Sequence, residues 1–412
     1  MFFTLTFAEP FDPERLLDAF ERLVWSRESL RVRFVEVERG YQWIPFSDAD
    51  VRRCLTYQRR QFEQLVERET LFREYLPTNM ALPLRVARLD ERRLVLVVNH
   101  VFGNGLTTMY WLEEWLRLYS GEAQPPQSPK PARRKGFLRS VVESISGLVW
   151  LGCYLVQFVS RAGRRAGHET VDLTRGIRPA PHQKGYAVKT YVMSEQETEA
   201  AVNRSRSLGL SVTEALCAAM AEALLQFQPD KSRVCISVPT DLGAFIPEFS
   251  REQPGNYTGS LILQIFRERE TKAQVRSGFQ WVRRRVNYWL PRVLGAFAGS
   301  EKKLRASFAK KAPLPIPDRA PFENFSCAVS GVGVIRERLI RKYLHSISAH
   351  TRTQTIFLCA MTLNGRMTLE VSVPRDLFDA DEAFRVTDAA AALLAGKAMA
   401  AGAAANRTTA QA

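Results

Sequence analysis

A histidine at the end of a strand-like segment is the side chain of this sequence best placed to act as a general base. His100 follows residues 95–98, an apolar run rich in β-branched side chains that predicts a strand buried on both faces. Gly103 and Gly105 come next and allow a sharp turn, because glycine adopts backbone angles that other residues avoid. The apolar spacing of residues 106–119 then predicts a helix. The sequence therefore places an imidazole, with an ordinary pKa of about 6.5, on a turn between two rigid elements.

Taken by itself, a histidine at a strand end is usually a packed or hydrogen-bonded core residue, so the surrounding motif decides its interpretation. The segment around His100 resembles the His-His-x-x-x-Asp-Gly signature of the condensation-domain-like acyltransferases. That superfamily includes nonribosomal peptide condensation domains, alcohol acetyltransferases, polyketide-associated acyltransferases and wax ester synthases. His100 matches the histidine to which the family assigns general-base work, and Gly105 matches the closing glycine.

Two positions of the motif depart from the family pattern. Asn99 stands in place of the first histidine, a position that varies within the family. Asn104 stands in place of an aspartate that orients the loop through an ion pair, and an amide at this position can only hydrogen-bond. The resemblance gives His100 the catalytic role, whereas Asn99, Gly103, Asn104 and Gly105 would support the turn.

The resemblance extends over most of the chain in the expected order. Segments similar to family elements lie at residues 11–34, 211–227, 255–261, 324–333 and 361–369. The Asp-Phe-Gly-Trp-Gly latch of peptide condensation domains has no clear match, which favours the stand-alone acyltransferase branch. The fold implied is mixed α/β (α+β), with two lobes similar to chloramphenicol acetyltransferase. Each lobe would be a mixed sheet with helices, and an active-site tunnel would run between them.

Four residues of the second half are further candidates for the site. Asn256, Tyr257 and Ser330 would line the tunnel, although Gly-Asn-Tyr and Ser-Gly sequences are also ordinary turn material. Asp241 follows a Pro-Thr pair and is interpreted either as a partner from the second lobe or as a cap. His350 lies in a basic segment and is interpreted as a surface residue.

Length and composition agree with two lobes. The chain has 412 residues, of which 46% are hydrophobic, so each lobe can bury a core. We predict an N-terminal lobe at 1–124 that carries His100, a basic and partly apolar linker at 125–184, a C-terminal lobe at 185–400 and a disordered tail at 401–412. No signal peptide is visible, and the six scattered cysteines indicate a reduced, cytoplasmic environment without disulfides or a metal site.

The linker allows three interpretations. Basic residues at 133–139 and 161–165 flank a largely apolar stretch at 141–159. The stretch could be a helix buried between the lobes, or it could lie on an anionic membrane surface, where cations meet lipid headgroups. Its uninterrupted apolar part, at 147–156, is too short to predict a membrane span. The first two interpretations fit about equally well, and the second would place the protein peripherally at the inner face of the membrane.

The net charge of +15 indicates polyanionic partners in general. Coenzyme A phosphates, an acidic acyl carrier protein and anionic lipid all fit, whereas no nucleic acid is expected because no recognised reader motif accompanies the charge. A solvated basic surface is the simpler interpretation of any one cluster.

The resemblance implies acyl transfer without a covalent enzyme intermediate. An acyl group would pass from a thioester donor, acyl-CoA or acyl carrier protein, to a hydroxyl or amine acceptor such as a lipid or a secondary metabolite. His100 would act as general base, and the thioester would be a co-substrate rather than a permanently bound cofactor. The alternative is a catalytically inactive relative that serves as a membrane-associated binding or assembly module.

Overall fold

A computed structural model of the protein describes residues 1–37, 40–73, 81–100, 102–122, 169–173, 185–241, 258–283, 325–353 and 355–397. Numbered in chain order, the strands are β1 (Phe2–Phe7), β2 (Val32–Val37), β3 (Gly40–Pro45), β4 (Leu84–Arg88), β5 (Arg93–Val98), β6 (Tyr186–Val192), β7 (Arg233–Asp241), β8 (Thr258–Phe266), β9 (Cys327–Val334), β10 (Leu344–His350), β11 (Phe357–Leu363) and β12 (Arg366–Pro374). The helices are α1 (Pro13–Ser26), α2 (Asp48–Glu63), α3 (Arg68–Arg73), α4 (Gly105–Ser120), α5 (Glu195–Ser207), α6 (Val212–Phe227), α7 (Thr271–Arg283), α8 (Arg338–Tyr343) and α9 (Ala380–Leu394).

The first sheet has the strand order β10-β1-β5-β4, and its neighbouring strands are antiparallel. Its central strand β5 alternates between two apolar surroundings. Leu94, Leu96 and Val98 face a large core that includes α1 and α4, whereas Val95 and Val97 face a smaller cluster on the other side. The strand is therefore buried on both faces, as its run of apolar residues predicts.

The second sheet has the order β6-β12-β11-β9-β7-β8 and combines parallel and antiparallel pairs. Its strand β11 contributes Phe357 and Met361 to the large core of the first lobe, and Leu358 and Ala360 to a second core. The second core also holds the apolar side chains of α6 and α9. The mixed α/β fold with two cores agrees with the prediction.

One strand crosses the predicted lobe boundary. Residues 344–350 fall within the range predicted for the C-terminal lobe, yet this segment, β10, pairs with β1 and completes the first sheet. It also packs against β11 and β12, so it lies where the two main sheets meet. Strand pairing therefore takes β10 away from its neighbours in sequence, and the lobe boundaries at 124 and 185 stay a prediction.

Helix ends follow the local sequence closely. Asp12 caps α1, with Pro13 at the first position, and its side chain accepts a hydrogen bond from the Arg15 N–H. Helix α6 begins with a capping box formed by Ser211 and Glu214.

The linker outside residues 169–173, and the tail at 401–412, lie outside the described residues, so their assignments stay predictions. Among the described residues, no single helix is long and apolar enough to cross a membrane. The consecutive helices α5 and α6 pass that test only when taken together, and they meet at 89°.

Candidate functional site

The turn that carries His100 is held at both ends by backbone hydrogen bonds. The Asn99 N–H donates to the Pro83 carbonyl at 3.0 Å, which ties the end of β5 to the residue before β4. The Phe102 N–H donates to the Asn99 carbonyl, also at 3.0 Å, and the Phe102 side chain is fully buried in the large core. His100 therefore lies between two fixed points.

The environment of His100 favours its neutral form. Burial lowers the pKa of its imidazole from the ordinary value, and the positive charge of the amino terminus acts in the same direction. Backbone groups of His100 itself and of Gly103 oppose this shift. Nδ1 is buried and makes no well-aligned hydrogen bond with any residue that the structure describes. A neutral ring near pH 7 is the form that accepts a proton.

Asn104 connects the turn to the second sheet. It is the N-cap of α4, where its Oδ1 accepts hydrogen bonds from the Thr107 N–H at 3.0 Å and from the Thr107 hydroxyl at 3.2 Å. Its Nδ2 donates to Oδ1 of Asp241 at 2.9 Å, at the end of β7. An amide can accept and donate at the same time, whereas an ionised carboxylate can only accept. Beside Asp241, Asn104 therefore supplies a donor that an ionised carboxylate would lack.

Strand β9 passes close to the same turn. A Cβ atom at Gly105 would lie 3.8 Å from Cγ2 of Val332, and one at Gly331 would overlap the Thr213 side chain at the start of α6. The ends of β5 and β7, the middle of β9 and the first turns of α4 and α6 therefore converge in one region.

The remaining predicted site residues are the three expected to line the tunnel. Ser330 lies on β9, and its hydroxyl hydrogen-bonds to the thiol of Cys359, its partner on β11. Asn256 and Tyr257 lie outside the described residues, so their place in a tunnel stays a prediction.

Exchanging the two polar groups of the Asn104–Asp241 pair tests this arrangement. We expect Asn104→Asp to destabilise the protein by about 1–3 kcal/mol, because two carboxylates would then face each other at a largely buried position. The double variant Asn104→Asp/Asp241→Asn should recover most of the loss, since an amide at 241 can donate to a carboxylate at 104. Melting temperatures of the variants give the measurement. Equal melting temperatures for the single variant and the wild type would show that the pair does not hold the turn.

A buried ionic cluster that the sequence did not predict joins the two sheets. Nδ1 of His350, on β10, lies 2.6 Å from Oε1 of Glu370, on β12. Oε2 of Glu370 accepts from Nη2 of Arg68, on α3, at 2.6 Å and from the Thr190 hydroxyl, on β6, at 3.0 Å. His350 and Glu370 are fully buried, so the interpretation of His350 as a surface residue is wrong. A single acid within an apolar strand, Glu370 in β12, was the available signal for such a cluster.

The charge state of this cluster follows from its contacts. Burial opposes ionisation of Glu370, but the hydrogen bond from His350 and the charge of Arg68 outweigh it and hold the pKa of the carboxyl below its usual range. Burial lowers the pKa of His350 despite its hydrogen bond to Glu370. We assign a neutral imidazole that donates from Nδ1 to an ionised carboxylate.

The described cysteines do not resemble nucleophiles. Burial raises the pKa of Cys359 to about 12 and raises that of Cys217 well above its ordinary value. Within the described ranges, no group of three or more His, Cys, Asp and Glu side chains could hold a metal ion.

Sequence comparison connects the chain to large synthetases. No family model matches it. A segment of 119 residues, 29% of this chain, is 29% identical to a nonribosomal peptide synthetase, valB, of Aspergillus terreus. A segment of 128 residues is 29% identical to bacitracin synthase 3 of Bacillus licheniformis. These matches span only 4% and 2% of the two synthetases, respectively.

Structure comparison identifies the fold. The epimerization domain from the third module of tyrocidine synthetase B matches with a TM-score of 0.60 and 13% identity, over 96% of this chain and 90% of that domain. The condensation domain of the monacolin K polyketide synthase matches with a TM-score of 0.60 and 16% identity, over 96% of this chain and 91% of that domain. The first condensation domain of the CDA synthetase matches with a TM-score of 0.60 and 14% identity, over 97% of this chain and 91% of that domain. The chain therefore has the condensation-domain fold, and the resemblance predicted from the sequence is confirmed at that level.

Proposed function

We propose that the protein is an acyltransferase of the condensation-domain-like superfamily, with His100 as its general base. The observation that carries the proposal is the position of His100. Its neutral imidazole lies on a turn fixed at Asn99 and Phe102, and the same turn is tied to the second sheet through Asn104 and Asp241. A group held between two lobes in this way can act on two substrates that enter from opposite sides.

The proposed reaction is direct transfer from a thioester. The acceptor's hydroxyl or amine attacks the thioester carbonyl while its proton passes to Nε2 of His100, the ring nitrogen opposite the buried Nδ1. The tetrahedral intermediate then collapses, the carbon–sulfur bond breaks, and the imidazolium returns the proton to the leaving thiolate. An ester or amide and a free thiol are the products, and His100 regains its neutral form.

The relatives indicate which thioesters to test. Several structures with this fold come from peptide or polyketide synthases, and one is described as condensation domain-mediated chain release from the enacyloxin polyketide synthase. Another is polyketide synthase associated protein 5 from Mycobacterium tuberculosis. They support a donor carried by an acyl carrier protein, while acyl-CoA remains the second donor class. A lipid or a secondary metabolite is the proposed acceptor.

A thiol-release assay tests the proposal. The protein is incubated with acyl chains of several lengths, attached either to coenzyme A or to a carrier protein, with and without hydroxyl and amine acceptors. We expect thiol release that depends on the acceptor, together with an acylated product detected by mass spectrometry. Folded protein that releases no thiol from either donor with any acceptor would instead support the inactive alternative. Co-sedimentation with anionic vesicles would then test a role as a membrane-associated module.

A further inference from the structure

The turn that carries His100 rests on the side chain of a tryptophan. A Cβ atom built on Gly103 would lie 3.0 Å from Cη2 and 3.1 Å from Cζ3 of Trp111, and 3.1 Å from Cγ2 of Thr107. These distances are shorter than ordinary carbon–carbon contacts, so only glycine fits at position 103 without movement of its neighbours. The outer edge of the indole ring therefore limits how closely the turn can approach α4.

Among the described residues, packing and not hydrogen bonding holds the tryptophan in place. Trp111 is fully buried in the large core, and its Nε1 makes no hydrogen bond with any residue in the described part of the chain. Thr107 and Trp111 are four residues apart and therefore lie on the same face of α4. This face forms a platform under Gly103, with the indole as its larger part.

The platform lies against the part of the turn that acts on the imidazole. Phe102 is anchored in the core, and Asn104 is anchored by Thr107 and Asp241. Gly103 lies between these anchors, and its backbone acts on the imidazole of His100. The contact with the indole and with Thr107 therefore limits the position of a backbone group that faces the ring.

We infer that Trp111 is a positioning residue for His100, acting through the backbone of Gly103. The expected effects on kcat rest on the proposed function, whereas the expected effect on the position of His100 does not. A displacement of about 1 Å in a catalytic group can cost roughly 10²-fold in rate. The indole edge is the part of the protein that prevents such a displacement toward α4.

The first test shortens the indole. In Trp111→Phe the outer ring edge is lost without loss of a hydrogen bond, and the turn can sink toward α4. We expect kcat to fall by about 10–100-fold with KM changed less than threefold, because the substrate sites are untouched. Trp115→Phe is the matched control, one helical turn further along α4. It loses the hydrogen bond from Nε1 to the Leu16 carbonyl and should lower the melting temperature, but not kcat.

The second test adds side-chain volume at Gly103 and removes it from Trp111. Gly103→Ala places a methyl group against the indole and should also lower kcat. The double variant Gly103→Ala/Trp111→Phe should recover at least tenfold over Gly103→Ala, because the phenyl ring leaves room for the methyl group. Because Cγ2 of Thr107 closes the same space, the cycle is repeated with Thr107→Ser, which keeps the hydroxyl that bonds to Asn104.

A measurement without turnover separates this inference from the proposed function. The rate at which diethyl pyrocarbonate modifies His100, followed by peptide mass spectrometry, should differ between Trp111→Phe and the wild type, because a shift of the turn changes the exposure of the ring. The rate should stay unchanged in Trp115→Phe. Equal modification rates in folded wild type and Trp111→Phe would overturn the inference, as would additive effects of Gly103→Ala and Trp111→Phe on kcat. If the modification rate changes but neither the wild type nor any variant transfers acyl groups, the inference about Trp111 holds and the proposed function fails.

Discussion

Replacing His100 by alanine is expected to lower the rate of acyl transfer by about 10²–10⁴-fold, the usual contribution of a positioned general base. The fold should survive, because the ring's Nδ1 makes no well-aligned hydrogen bond with any described residue. The anchors at Asn99, Phe102 and Asn104 would remain. Circular dichroism and a thermal melt of the variant establish that it is folded before its thiol-release rate is compared with that of the wild type.

The pH profile provides an independent check on this assignment. Because burial lowers the pKa of His100, the ring loses its proton at a lower pH than an ordinary histidine, whose pKa is about 6.5. Activity should therefore be constant through neutral pH and decline only toward more acidic pH, as the imidazole takes up a proton. His345→Ala is a suitable control, since His345 is exposed on β10 and contacts Arg366. Undiminished transfer by folded His100→Ala would remove His100 from the mechanism.

Neutralising Glu370 is expected to destabilise the protein by about 3–5 kcal/mol at neutral pH, the usual cost of breaking a buried ionic interaction. In Glu370→Gln the volume is kept, but His350 and Arg68 lose the carboxylate that both contact. The variant would weaken the contact between the two sheets, because the three side chains come from β12, β10 and α3. Chemical denaturation at several pH values measures it.

The pH dependence of stability should differ between wild type and variant. Folding lowers the pKa of Glu370 below its ordinary value of 4.5, so its contribution is complete above pH 4.5 and is lost as the pH falls through the lowered value. His350 also has a lowered pKa, so its protonation opposes folding as the pH falls below the ordinary histidine value of about 6.5. Wild type should lose stability in both ranges, whereas Glu370→Gln should lack the loss in the lower range.

A surface carboxylate provides the control for this experiment. Glu14 contacts Arg59 at 3.0 Å but is 73% exposed, so Glu14→Gln should change stability by less than about 1 kcal/mol. If Glu370→Gln matches the stability of the wild type at neutral pH, or follows a parallel pH curve, the cluster does not hold the sheets together.

The local part of the site could be predicted from the sequence, because its signals are local. The apolar run of β5, the glycines after it and the periodicity of α4 lie within one continuous segment, and each acts on its immediate neighbours. Gly121, directly after the apolar pattern, ends α4 in the left-handed conformation with φ 76°. Such features can be predicted from the segment itself, without the position of any distant residue.

The partners of that segment could not be predicted in the same way. The contact between Asn104 and Asp241 depends on where the end of β7 lies relative to α4, and strand pairing across the molecule decides that position. The platform formed by Trp111 depends on the path of the backbone at Gly103. The sequence shows that Asn104 departs from the family's pattern, but it does not show that Asp241 lies within hydrogen-bond distance of it.

The error at His350 has a similar cause. Its basic neighbours in sequence suggested a solvated position, but a strand alternates between two faces. In β10, Ile347 and Ala349 face the large core, whereas Ser348 and His350 are buried on the side of Glu370. Charge in nearby sequence therefore says little about the surroundings of a side chain once both faces of the strand are covered.

The place of β10 in the first sheet has a consequence for protein synthesis. β1 and β5 leave the ribosome before β10, so the sheet that holds them is complete only when residues 344–350 have followed. Until then one edge of β1 remains open to pairing with other chains, a known risk for aggregation. The segment that ends at His100 therefore acquires its final support only after more than two hundred further residues have been synthesised.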